Sequence, residues 1–70
     1  MMPLTFAGVN EQNTVLKITG NNNVKKHLAD LGFVPGSSVL VISSIGGDLI
    51  VRVKGSRIAI SREMAARIMV

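Results

Sequence analysis

The 70-residue, 7.4 kDa chain is 47% apolar and only 17% charged, and it has no cysteine. That fits one small globular domain and excludes disulfide scaffolds, zinc fingers, iron–sulfur sites and thiol nucleophiles. The net charge of +4 is spread over the chain with no basic run longer than two residues, so it reads first as a solubilising surface.

Residues 1–13, with Pro3, Gly8, Asn10 and Asn13, read as an arm held by Leu4, Phe6 and Val9. A short strand is expected from Thr14 to Ile18, with Leu16 and Ile18 on one face and Val15 and Lys17 on the other. Gly20 and Asn21-Asn22-Asn23 break it. Val24, Leu28 and Leu31 then recur at the spacing of one helix face. They predict a helix over 23–31, capped by Asn22 or Asn23 and ended by Gly32. In Val34-Pro35-Gly36-Ser37, Pro and Gly occupy the central positions of a type II turn.

Three strands follow, Ser38–Ile45, Asp48–Lys54 and Arg57–Ser61. Two-residue loops at Gly46-Gly47 and Gly55-Ser56 accept the positive φ of primed turns. This register sets Ile45 opposite Asp48 and Lys54 opposite Arg57. It collects Leu40, Ile42, Leu49, Val51, Val53, Ile58 and Ile60 on one face, and Val39, Val41, Ile50 and Ala59 on the other. A last helix is expected from Arg62 to about Ile68, with Ser61 as its cap and Glu63 in its first turn. Ile68-Met69-Val70 then finishes as a short strand closing the sheet. Four or five strands around one core predict an all-β domain with short helices, a small SH3-like β-barrel spanning residues 1–70.

Reactive groups are sparse. Glu11, Asp30, Asp48 and Glu63 are scattered, and His27, the one histidine, has only Asp30 at helical spacing. Two ligands without a third make a weak metal site. Neither GxGxxG nor GxxxxGKS/T occurs, and the glycines fall in turns. No catalytic residue, metal or cofactor is expected, and the chain reads as no enzyme. No stretch approaches the ~20 apolar residues of a membrane span, and Met1 to Phe6 lacks the basic start and apolar core of a leader. The expected location is the cytoplasm, with any membrane association running through a partner.

Two groups are candidates for binding such a partner. Arg52, Lys54 and Arg57 form a cationic strip on the outer face of the last hairpin. With no Trp or Tyr and two Phe, base stacking is poorly served, so nucleic acid is not the expected partner. Leu31, Phe33 and Val34 form an apolar corner fixed by Gly32 and the Pro35-Gly36 turn, from which Phe33 is expected either to project as an anchor or to plug the open end of the barrel.

Two segments carry a family resemblance, Lys26 to Gly36 and Val53 to Val70. Within them Leu28, Leu31, Gly32, Pro35, Gly36, Gly55, Ile58, Ile60, Ala65, Ile68 and Val70 follow the pattern of the FeoA family, which the chain resembles from about residue 3 to residue 70. The resemblance implies an SH3-like fold and a non-enzymatic cytosolic accessory of bacterial ferrous-iron uptake. It also implies a partner, the cytoplasmic, G-protein-containing part of the FeoB transporter, whose transport the chain would modulate. The alternative is an SH3-like nucleic-acid-binding or metal-regulated repressor-type module. The same fold ends the iron-dependent repressors, but no helix-turn-helix is present here.

Overall fold

The computed structural model describes residues 1–70. After a single 3₁₀ turn at Leu4–Phe6, the chain forms β1 (Gln12–Thr14), β2 (Lys17–Ile18), α1 (Asn22–Asp30) and β3 (Ser38–Ile45). It continues through β4 (Asp48–Val53), β5 (Ser56–Ile60), α2 (Arg62–Ala65) and β6 (Ile68–Met69). One antiparallel sheet has the order β1-β3-β4-β5, and β2 and β6 make a separate two-stranded sheet.

Val15 divides the first expected strand. It is buried, its N–H donates to the Ser37 carbonyl at 2.8 Å, and its own carbonyl accepts from Gly36 at 2.8 Å. Before it, β1 pairs with β3; after it, β2 pairs with β6. Because the chain changes sheets here, the alternation fails and Leu16 is left half exposed. The C-terminal strand therefore does not close the large sheet as expected. It joins β2 on one side and, through a bridge to Pro3, the N-terminal arm on the other. Of the arm's apolar residues only Leu4 is buried; Phe6 is 74% exposed, because two residues along a tight 3₁₀ turn point away from each other.

The meander β3-β4-β5 supplies half of the twelve-residue core, namely Val39, Val41, Leu49, Val51, Val53 and Ile60. Val39 and Val41 replace the expected Leu40 and Ile42. The β3–β4 register starts as expected, with Ile45 opposite Asp48 and Ser44 opposite Leu49, but it shifts between Ser43 and Val41. Ile42 is the extra residue of a β-bulge, and one extra residue turns every earlier side chain to the opposite face. Leu40 therefore lies half-buried on the outer side, where Ile50, half-buried, and Ala59, exposed, stand as expected.

The second hairpin turns on Lys54-Gly55, with φ +52° and +78°, rather than on Gly55-Ser56. Val53 pairs with Ser56 and Val51 with Ile58. Against the expected pairing this is a slip of two residues, an even number, so the faces are unchanged.

Helix α1 is capped one residue earlier than expected: the Val24 N–H donates to Asn21 Oδ1 at 2.9 Å. Its one fully buried side chain is Leu28. Ser61 caps α2 as expected, accepting from the Met64 N–H at 3.2 Å, but α2 ends at Ala65 and Ile68 already belongs to β6.

Candidate docking surface

Helix α1 ends in a way that decides the character of the corner after it. Gly32 adopts φ +109°, its N–H donates to the Ala29 carbonyl, and the Phe33 N–H donates to the Leu28 carbonyl, both at 2.9 Å. This pair of bonds is a Schellman motif, which folds the residue after the glycine back onto the last helical turn. Phe33 and Leu28 are accordingly both fully buried, and Phe33 is the largest such side chain. It does not project from the corner. Beyond it, Ser37 N–H donates to the Val34 carbonyl at 3.0 Å with Gly36 at φ +92°, the expected type II turn.

The buried ring still serves a surface. Phe33, Val34 and Pro35 form the floor of a groove of about 310 Å³, walled by Lys17 and Ile18 of β2 and by Lys25 and Ala29 of α1. Two lysines and no acidic residue line it. Leu31 lies outside the lining, half-buried against the core. Lys17, Ile18, Lys25 and Ala29 were not legible as site residues. The signal for half of them was Lys25 and Ala29 at i, i+4 on a helix face other than that of Leu28.

The cationic strip assembles as expected, though with a different centre. Arg52 and Arg57 stand directly opposite each other on β4 and β5, both exposed, while Lys54 sits in the turn between the strands. A second cavity, of about 450 Å³, opens beside Arg52 and Lys54 and extends to Gln12, Ser37 and Ser38. Gly36 borders this cavity and Pro35 the groove, so the two lie on either side of one turn. Gly32 also joins them, since a Cβ there would come within 2.9 Å of Lys54 Cγ. The lysine stem lies on the bare glycine.

The remaining titratable groups do not converge. His27 and Asp30 are both exposed on α1, and no group of three or more His, Cys, Asp or Glu side chains comes together. Asp48 has a structural role, its Oδ1 accepting from the Arg62 N–H at 3.3 Å and tying the first hairpin to α2.

The FeoA domain model matches residues 2–70. The "Putative Fe(2+) transport protein A" of Methanocaldococcus jannaschii is 40% identical over all 70 residues, and the match covers 85% of that protein. Among solved structures, an iron uptake regulatory protein (FeoA) superposes with a TM-score of 0.88 at 33% identity, covering 96% of this chain and 89% of its own. The zinc-complexed FeoA of Stenotrophomonas maltophilia, a procaryotic SH3 domain protein, gives 0.84 at 27% identity over 99% and 88%. The fold is thus the expected mostly-β, SH3-like one, although its large sheet is not closed by hydrogen bonds. With matches that run the length of the sequence and of the fold alike, the chain belongs to the FeoA family.

Proposed function

We propose that the chain docks on the cytoplasmic, G-protein-containing part of a FeoB-type ferrous-iron transporter and modulates it. Membership of the FeoA family makes it a non-enzymatic accessory of ferrous-iron transport. The observation that carries the docking reading is the groove floored by Phe33, Val34 and Pro35 between Lys17 and Lys25. Its apolar floor suits one or two apolar side chains, and its unopposed ammonium rim suits acidic residues beside them. Arg52, Lys54 and Arg57, across the Pro35-Gly36 turn, add positive field that speeds encounter with an acidic surface. No helix is long and apolar enough to cross a membrane, and docking on the transporter's inner side places the chain in the cytoplasm.

The test is binding of the chain to the transporter's isolated cytoplasmic domain by titration calorimetry. Both groove lysines are exposed, so Lys17→Glu with Lys25→Glu should leave the melting temperature nearly unchanged. The same pair should weaken binding by about tenfold or more, the scale of placing like charges across an interface. Unchanged affinity would move the docking surface elsewhere, and failure of the wild-type chain to bind would remove the transporter domain as the partner.

A further inference from the structure

We infer that the cavity beside Arg52 and Lys54 binds a small oxyanion carrying two or more negative charges, of the phosphate or polycarboxylate type. At about 450 Å³ it falls in the size range of small-molecule sites. Its lining suits little else: Leu40 is its one hydrophobic residue, and none of the chain's four acidic residues reaches it. Arg52, Lys54, Gln12 and Ser38 all line it and carry guanidinium, ammonium, amide and hydroxyl donors. Those are the donors by which oxyanions are held.

Three features of the backbone and packing set this cavity apart from an ordinary basic surface. Arg57 is directly opposite Arg52, a cross-strand pairing of like charges that destabilises a sheet and that a bound anion would offset. Lys54 is held at a left-handed φ of +52° with its stem against Gly32, so its direction is set before any ligand arrives. Ser37, 8% exposed, lies in the same lining, and its hydroxyl is buried without a hydrogen-bond partner. Buried hydroxyls are rarely left unpaired, and an anion at the inner end of the cavity would accept a hydrogen bond from it.

The proposal stands apart from docking, because it concerns the isolated chain and is tested without the transporter. The ¹⁵N-labelled protein is titrated with inorganic phosphate, pyrophosphate and citrate at constant ionic strength while amide shifts are followed. At least one anion should saturate with a Kd at or below about 1 mM, and the largest shifts should fall on Ser37, Ser38, Arg52, Lys54 and Gly55. Comparing the phosphate and citrate arms tells which oxyanion class the cavity prefers.

Arg52→Gln and Lys54→Asn should each weaken that binding about tenfold or more, the worth of one charge-assisted hydrogen bond. Both side chains are exposed and asparagine accepts a left-handed φ, so neither variant should lower the melting temperature, and Arg52→Gln should raise it slightly by relieving the pairing with Arg57. Ser37→Ala should weaken binding by a smaller factor. Shifts that stay linear for all three anions, saturation that neither charge substitution weakens, or shifts centred on Lys25 and Lys26 would each overturn the assignment.

Discussion

Phe33→Ala is expected to remove about 3–5 kcal/mol of stability, the range for deleting a fully buried aromatic side chain. A domain of this length holds only about 3.5–10 kcal/mol in total, so the loss should take at least roughly a third of it and, at the low end of that range, all of it. The cost is large because the ring has two neighbourhoods to lose. It packs on the last turn of α1 through the Schellman fold-back, and it floors the groove between β2 and α1. Urea denaturation followed by circular dichroism measures the loss. A shift under about 1 kcal/mol together with lost transporter binding would instead mark Phe33 as an exposed anchor, against its complete burial.

Leu28→Ala should cost about 2–5 kcal/mol, and its effect should not add to that of Phe33→Ala. Helix α1 has nine residues, too few to persist without tertiary packing, and Leu28 is the one side chain it buries completely. Leu28 and Phe33 are also the two apolar partners that a Schellman ending brings together. A double-mutant cycle should therefore show a coupling of about 0.5–3 kcal/mol, the range for residues in contact. Additive losses would mean that each packs on separate parts of the core. A loss below about 1 kcal/mol for Leu28→Ala alone would mean that α1 is held mainly by its half-buried Val24 and by Leu31.

How far the sequence could be read depended on whether a residue's local chemistry admitted one outcome. Gly46-Gly47 allowed a single tight turn, and the pairing of Ile45 with Asp48 followed from it. In Val39-Leu40-Val41-Ile42 all four residues are apolar, so composition could not say which two face inward, and the bulge at Ile42 settled it the other way. The slip from Gly55-Ser56 to Lys54-Gly55 did no harm to the faces only because it was even. It was hard to foresee, since a lysine rarely takes a left-handed φ.

At the candidate site, the grouping of the basic residues was legible because Arg52 and Arg57 keep the same face in either register, although Lys54 moves into the turn beside them. The groove was not. Its walls come from β2 and α1, and they meet only because Val15 carries the chain from one sheet to the other. A glycine that ends a helix before an apolar residue suits equally a pedestal for Phe33 and a fold-back that buries it. The hydrogen bonds of Gly32 and Phe33 show that it is a hook that draws the ring inward.

The joining of the two chain ends has a consequence for the order of folding and opening. Met2 and Val70 exchange two hydrogen bonds of 2.8 Å, and Leu16 and Thr19 donate to Met69 and Arg67, whereas the meander is built on two-residue turns. Contacts between distant residues must overcome a large loop-closure entropy, so the meander should nucleate folding and the ends should latch last. By the same ordering they release first. Amides of Leu16, Thr19 and Val70 should exchange with solvent at a lower free energy than those at the centre of the sheet, such as Val51. Since β2 carries Lys17 and Ile18, this late-forming latch is also one wall of the groove, so its release should widen the groove, at the cost of loosening the buried Ile68 that β6 contributes to the core.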